Sequence, residues 1–206
     1  MRILIATLTV GGGHLAAAAA LEEAWRKIRP ADTVERVDLM QFFSPLHRKL
    51  YTDGWVHITT HAPELWGLVF DRTDDPDVAR RLRRTRRLFP SSSRRRFRNF
   101  VAEFQPDVVL CTHYLPVEVL GAAENEEPNT RSFAGDSRST TRRAHDEPDT
   151  TRPWTSSFVV SVVTDFEVHA VWMAPAVGLY CVAAEESRTR LVARGGHPCL
   201  LYTSDA

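Results

Sequence analysis

The sequence predicts an α/β fold in which a parallel sheet carries helices on both of its faces. Several short segments are apolar almost without interruption, as buried parallel strands are. These segments are residues 2–8, 106–112 and 158–163. Helical spacing follows the first of them, and with 206 residues, 43% hydrophobic and 25% charged, the chain can form one globular domain with a sizeable core.

The stretch ILIATLTVGGGH, residues 3–14, joins the first strand to the first helix. Gly11, Gly12 and Gly13 let a ligand approach the backbone, and the start of a helix favours negative charge. His14 follows at once, and a helix N-terminus favours the neutral form of a histidine. We therefore interpret His14 as a candidate general base. The spacing is neither GxGxxG nor GxxxxGK[ST], so a tight turn with a surface histidine is the alternative.

The first helix and second strand complete a βαβ unit. Apolar side chains at helical spacing share one face of the predicted helix, and Pro30 ends the segment. They are Leu15, Ala18, Leu21, Trp25 and Ile28. Residues 33–39 are the second strand, and Asp38 at its end is interpreted as a turn or cap residue.

Residues 42–70 are rich in aromatic side chains, and Pro63 begins a second helical piece within them. Aromatic residues at this density are usually core. The segment also fits an amphipathic patch that meets an apolar acceptor or a bilayer surface. Both interpretations stay open from the sequence.

Ten arginines lie within residues 80–98, in a pattern that is helical over 77–104 and interrupted at 90–93. Such a run is most often a solvated helix face. It would also attract anionic lipid headgroups, at about 1 kcal/mol per residue near a surface. No groove-reading motif accompanies it, so nucleic acid is not an expected partner.

The later strands end in polar groups. His113 follows the strand at 106–112, and a helix is expected over 115–123. Residues 124–157 are polar and predict a long loop. Thr164, Asp165 and His169 follow the strand at 158–163, and ligands bind at the carboxyl edge of open α/β sheets. A strand at 178–183 and a helix at 185–194 come next, whereas 198–206 show no pattern.

Three cysteines, Cys111, Cys181 and Cys199, lack the paired spacing of a disulfide framework or a zinc ribbon. The apolar run at the N-terminus is too short for a signal peptide, and none approaches the roughly 18 apolar residues of a membrane span. Any membrane contact is therefore expected to be peripheral.

Three motifs together resemble a known family. They are Gly11-Gly12-Gly13-His14 with its alanine-rich helix, Pro106-Asp107-Val108-Val109 with Thr112-His113 and Pro116, and Val163-Thr164-Asp165-Phe166 with His169 and Trp172. In this order they resemble the N-terminal domain of monogalactosyldiacylglycerol synthases and bacterial processive diacylglycerol glucosyltransferases. The resemblance implies a Rossmann-like domain that is one half of a GT-B fold and binds the acceptor. The implied reaction transfers a hexose from a UDP-sugar to diacylglycerol, with inversion at the anomeric carbon.

The resemblance also implies roles for individual residues. His14 matches the general base, and the cleft for donor and acceptor is expected to include Gly11, Gly12, Gly13, His113, Asp165 and His169, the last two as site-shaping or base-orienting groups. Lipid contact is expected at Pro45, Tyr51, Trp55, Trp66, Trp172, Arg83 and Arg87. No cofactor and no metal are expected.

The expected organisation is an acceptor-side domain at 1–197, including the polar loop, and a tail at 198–206, with the donor domain absent and the fragment inactive alone. The expected partners are a UDP-hexose, diacylglycerol and an anionic membrane surface, at the inner face of the cell membrane. Two alternatives stay open. One is a metal-dependent hydrolase using His14, His113, Asp165 and His169, and the other is a non-catalytic adaptor for anionic membranes.

Overall fold

The computed structural model of the chain describes residues 1–75, 77–79, 81, 90–121 and 157–203. Six strands in this part form one parallel sheet in the order β2-β1-β3-β4-β5-β6. They are β1 (Arg2–Thr7), β2 (Thr33–Asp38), β3 (Val108–Cys111), β4 (Phe158–Val162), β5 (Leu179–Val182) and β6 (Leu201–Thr203). The α-helices that lie wholly within the described residues are α1 (Gly12–Ile28), α2 (Pro45–His61), α3 (Pro63–Thr73), α4 (Ser91–Phe104), α5 (Tyr114–Gly121) and α6 (Glu185–Ala193).

Alternate side chains of the strands pack into two separate hydrophobic cores, one on each face of the sheet. Ile3 and Ile5 point toward α1 and pack with Ala18, whereas Leu4 and Ala6 belong to the larger core on the other face. That larger core contains apolar residues of α4, α5 and α6. The predicted α/β, Rossmann-like fold with helices on both faces is thus confirmed.

The direction in which the sheet grows reverses between β1 and β3. β2 pairs on one side of β1, and the chain then crosses to place β3 on the other side, with Ile5 opposite Leu110. In open α/β sheets a crevice forms outside the carboxyl ends of the strands at such a switch point. His14 follows β1 and His113 follows β3, so both sequence-predicted histidines lie at this crevice.

Most element predictions agree with the structure, and the C-terminal segment differs. Residues 198–206 show no pattern in the sequence, yet Leu201–Thr203 pairs in parallel with β5 as the sixth strand. The tail assignment is therefore wrong for these three residues. A strand of three residues is too short for a recognisable pattern, and its burial at Leu201 comes from the larger core. Residues 124–156, expected to form a loop, and residues 204–206 lie outside the described part of the chain.

Helices α2 and α3 both begin at a proline in the first helical turn. Pro45 follows Ser44, whose hydroxyl accepts a hydrogen bond from the His47 backbone N–H, and Pro63 follows Ala62. Proline suits this position because its missing N–H would be unpaired there anyway. Neither helix contains a buried residue, so the pair lies against the domain rather than within its core.

Candidate functional site

The site is built at the carboxyl ends of β1, β3 and β4, around the imidazole of His14. The Nδ1 atom of His14 lies 2.8 Å from the carbonyl oxygen of Thr112 and 2.6 Å from Oγ1 of Thr164. A carbonyl oxygen only accepts, so Nδ1 donates and carries the proton. In the neutral ring Nε2 then holds the lone pair, which is the form a general base requires.

The loop before His14 keeps one edge of the ring open. Gly11 has φ of 89° and ψ of 134°, a conformation that is strained for residues with a side chain. A Cβ at Gly11 would lie 3.6 Å from Cδ2 and 4.0 Å from Nε2 of His14, whereas Cβ atoms at Gly12 and Gly13 would meet nothing within 4 Å. The three glycines therefore leave space beside Nε2 and above the first turn of α1.

Asp38 holds this glycine loop from the neighbouring strand. Its Oδ1 accepts hydrogen bonds from the backbone N–H groups of Thr9, at 3.1 Å, and Met40, at 2.9 Å, and its Oδ2 accepts from the Thr9 hydroxyl. Asp38 also caps the 3-10 helix Leu39–Phe42. The sequence interpretation of Asp38 as a turn or cap residue is thereby confirmed.

His113 packs edge-on against His14, with ring centroids 4.7 Å apart and an interplanar angle of 82°. Its Nδ1 accepts a hydrogen bond from the Leu115 backbone N–H at 3.0 Å, in the first turn of α5. Burial, with a contribution from the nearby His14, holds the pKa of His113 well below its usual value. His113 is thus uncharged. Its ring lines the site, and its Nδ1 stabilises the first turn of α5.

The low pKa of His113 makes stability depend on pH. The ordinary pKa of a histidine is 6.5. Below this pH the unfolded chain binds a proton at His113 that the folded chain does not bind. The free energy of unfolding should therefore fall as pH decreases, by up to about 1.4 kcal/mol per pH unit from this group. Urea unfolding between pH 7.5 and 5 measures it.

The matched variant is His113→Asn, whose side-chain oxygen can still accept from the first turn of α5. We expect its unfolding free energy to fall less steeply than that of the unchanged chain over the same pH range. Equal slopes for the two proteins would show that His113 is protonated as readily in the folded chain as in the unfolded one.

Asp165 and Trp172 form a second pair beside the histidines. Trp172 is fully buried, and its Nε1 donates a hydrogen bond to Oδ2 of the exposed Asp165 at 2.8 Å. The Trp172 ring lies 6.4 Å from His14, 6.3 Å from His113 and 6.2 Å from Tyr114. Trp172 therefore stands behind the site, and Asp165 contacts this indole while Thr164 contacts His14.

His169 ties α3 to the sheet. Its Nε2 lies 3.0 Å from the Phe70 carbonyl oxygen and 3.1 Å from the Thr73 hydroxyl, and its Nδ1 accepts from the Val171 backbone N–H. Asp74, next in the chain after α3, accepts from the Ala170 backbone N–H at 2.8 Å. Both ring nitrogens of His169 are engaged, so the structure gives this residue a role in positioning α3.

Asp74 also pairs with the Arg194 guanidinium. Although burial raises the pKa of the Asp74 carboxyl, hydrogen bonds from Arg194 and from the Ala170 backbone outweigh it and lower the pKa below its ordinary value. The carboxylate is therefore ionised at neutral pH, and it joins the end of α3 to the loop after β4 and the residue after α6.

Helices α2 and α3 extend from this anchored end across the carboxyl edge of the sheet. Tyr51 of α2 hydrogen-bonds Tyr114, whose ring stacks 4.3 Å from that of His113. Trp55 and Trp66 are half-buried against each other, with ring centroids 4.7 Å apart. The two helices thus contact the site from both the β3 and the β4 side.

The residues expected to contact lipid fall into three groups. Pro45 is exposed, and Tyr51, Trp55 and Trp66 are half-buried on α2 and α3. Trp172 has no exposed surface, so its side chain cannot itself face a bilayer in this conformation. Arg83 and Arg87 lie outside the described residues. Within the described range 90–121, Arg95 and Arg96 on α4 are exposed.

Several contributors to the site were given no role from the sequence, although Thr112 and Thr164 stand in two of the motifs. Thr112 and Thr164 hold the His14 ring, Thr7 holds its main chain, and Tyr114 joins the ring cluster to α2. For Thr7 and Tyr114 the available signal was position, since each lies at the end of a parallel strand or shortly after it.

The donor set does not favour the hydrolase alternative. The described residues contain no group of three or more His, Cys, Asp or Glu side chains arranged to hold a metal ion. His113 and His169 accept backbone hydrogen bonds through Nδ1. Separately, none of the helices in the described part of the chain has the length and apolar character needed to cross a membrane.

Comparison with protein families identifies a family model that matches most of the chain. The family model for monogalactosyldiacylglycerol (MGDG) synthase matches residues 14–131 and 150–203, which is most of the chain and begins at His14. No curated protein matches the chain. On the family match, together with a Rossmann-like sheet that fits one GT-B half, this chain belongs to the monogalactosyldiacylglycerol synthase family of glycolipid glycosyltransferases.

Proposed function

We propose that this chain is the acceptor-side half of an inverting glycosyltransferase that moves a hexose from a UDP-sugar to the 3-hydroxyl of diacylglycerol. The observation that carries the proposal is the state of His14. Its Nδ1–H is held by Thr112 and Thr164, and Nε2 faces the open glycine loop at the switch point of the sheet. Family membership supports the reaction class, and the geometry supports the assignment of the base.

In the proposed step, Nε2 of His14 takes the proton of the acceptor hydroxyl as its oxygen attacks the anomeric carbon of the donor. The new glycosidic bond forms on the face opposite the leaving group. The bond from the anomeric carbon to the phosphate oxygen breaks, and UDP leaves with its electron pair. The proton remains on Nε2 until it passes to solvent, so atoms and charges balance.

The first turn of α1 is proposed to face the donor phosphates. Gly12 and Gly13 have open space above them, and the amide groups at a helix N-terminus favour anions. A second Rossmann-like domain is proposed to hold the rest of the nucleotide sugar. Asp165 and His113 would border the acceptor side of the same cleft.

Helices α2 and α3 are proposed to contact the membrane and admit the lipid. Leu46 and Leu50 are 75% and 69% exposed, and the exposed Arg48 and Lys49 lie between them. On α3, Leu65 and Leu68 are more than half exposed. Exposed leucines beside basic side chains are typical of helices that lie in the interface of an anionic bilayer. The proposed location is peripheral, on the cytoplasmic face of the cell membrane.

Co-sedimentation with vesicles tests the membrane surface. The variant Leu46→Ser/Leu50→Ser should bind vesicles of phosphatidylglycerol, phosphatidylcholine and diacylglycerol at least about tenfold more weakly, because two leucine side chains no longer enter the interface. The measurement is the fraction of protein bound against lipid concentration, at constant salt.

Ile28→Ser is the matched control. Ile28 is 74% exposed, close to the 75% of Leu46, but it ends α1 at the opposite edge of the sheet from His14. We expect this variant to bind vesicles like the unchanged chain. If both variants lost binding equally, contact would not be localised to α2, and the proposed acceptor surface would be wrong.

A further inference from the structure

We infer that Thr164 is a positioning residue which, with the Thr112 carbonyl, forms an uncharged cradle fixing the tautomer and direction of the His14 ring. The inference rests on the proposed role of His14 as the base. It assigns to the hydroxyl of Thr164 the part that a carboxylate plays beside the histidine of a serine-protease triad.

The cradle is defined by two oxygens on one ring nitrogen. Nδ1 of His14 lies 2.8 Å from the Thr112 oxygen and 2.6 Å from Thr164 Oγ1. Since the carbonyl can only accept, the single proton on Nδ1 is shared between the two oxygens, and the Thr164 hydroxyl accepts as well. Both acceptors are uncharged. Asp165, one of the two groups expected to orient the base, instead accepts a hydrogen bond from the Trp172 indole at 2.8 Å.

The main chain of His14 is held by the same strands. Thr112 Oγ1 donates to Thr7 Oγ1 at 2.9 Å, and Thr7 Oγ1 donates to the His14 carbonyl oxygen at 3.2 Å. This chain of hydroxyls joins β3 to β1 and to the first turn of α1. His14 is therefore fixed at its backbone by Thr7 and at its ring by Thr112 and Thr164.

The arrangement has a chemical consequence for the lone pair. The hydrogen bond made by one imidazole nitrogen decides which nitrogen carries the proton. With Nδ1 held in the cradle, Nε2 is the acceptor nitrogen and lies toward Gly11, where an attacking hydroxyl has room. Without the Thr164 hydroxyl, the ring loses its contact with the β4 end, and a larger share of rings would carry the proton on Nε2 or point elsewhere.

Thr164→Val tests this because valine keeps the shape of threonine and removes the hydroxyl, while Thr164→Ser keeps the hydroxyl. Imidazole nitrogen NMR of the labelled chain at neutral pH reads the tautomer directly, with His14→Gln used to assign the signals. We expect the protonated-Nδ1 pattern in the unchanged chain and in Thr164→Ser. In Thr164→Val we expect a shift toward the protonated-Nε2 pattern.

The same variants are then assayed in the two-domain enzyme. We expect Thr164→Val to lower kcat roughly tenfold with KM for diacylglycerol within about twofold, and Thr164→Ser to restore kcat. An unchanged tautomer pattern in Thr164→Val would overturn the inference, whatever the kcat of that variant. The NMR measurement needs no sugar transfer, so an enzyme that fails to use diacylglycerol would contradict the proposed function while the tautomer pattern still decides the cradle.

Discussion

In the proposed enzyme of two Rossmann-like domains, replacing His14 with glutamine is expected to lower kcat for the proposed hexose transfer to diacylglycerol by about 10²–10⁴-fold. Glutamine can still donate to the Thr112 carbonyl, but it offers no basic nitrogen to the acceptor hydroxyl. The His14 ring is half-buried, and its contacts are concentrated at one end of the sheet. The loss should therefore be in kcat, with the fold and vesicle binding retained.

His197→Ala is the control for this result. His197 is exposed and lies after α6, where the chain turns back into β6 at the amino edge of the sheet. This variant should transfer hexose like the unchanged enzyme. If His14→Gln retained its activity while vesicle binding was normal, the chain would fit the non-catalytic membrane adaptor better than a domain that supplies the base.

Trp172→Ala is expected to lower the free energy of unfolding by about 3–5 kcal/mol, the usual range for a fully buried tryptophan. The side chain has no exposed surface and lies among His14, His113 and Tyr114. Its removal opens a cavity behind the site and leaves Asp165 without the indole N–H. Urea unfolding at neutral pH measures the change.

Two further variants separate packing from lipid contact. Trp172→Phe keeps a ring in the cavity and loses the hydrogen bond, so its effect should be clearly smaller than that of Trp172→Ala. Trp66→Ala on α3 should also cost less, because Trp66 is only half-buried. If Trp172→Ala lost vesicle binding without any loss of stability, Trp172 would be a lipid contact after all.

The sheet could be predicted from the sequence because buried parallel strands are locally apolar. Strands β1, β3 and β4 are each apolar almost without interruption, and the glycines after β1 mark the turn into α1. β6 has only three residues, and it becomes a strand because β5 offers an open edge. Its pairing is a property of the assembled sheet that no local pattern contains.

The sequence predicts where the candidate site lies, but it does not predict which side chains contact one another there. Strand ends of a parallel sheet share one edge, so His14 and His113 were expected together, and their rings lie 4.7 Å apart. Which side chain orients His14 depends on the register of β4 against β3, which brings Thr164 rather than Asp165 to Nδ1. Spacing along the chain does not encode that difference.

The burial of individual side chains near the site could not be predicted from the sequence either. Trp172 and His169 follow β4 closely and look like candidates for ligand contact. The loop after β4 instead folds back, so that Trp172 enters the larger core and His169 binds the end of α3. The segment 42–70 is divided in the same way. Phe43 belongs to the core, whereas α2 and α3 carry exposed leucines.

The central claim, that the acceptor hydroxyl meets Nε2 of His14 at the switch point, is tested most directly by titrating the nitrogen-15-labelled chain with a soluble short-chain diacylglycerol. We expect saturable shifts of the His14 imidazole and of the Gly12 and Gly13 amides, with His197 unmoved and with the 3-deoxy analogue leaving His14 Nε2 unshifted. Saturable shifts confined to α2 and α3, with the His14 ring unchanged, would contradict the account.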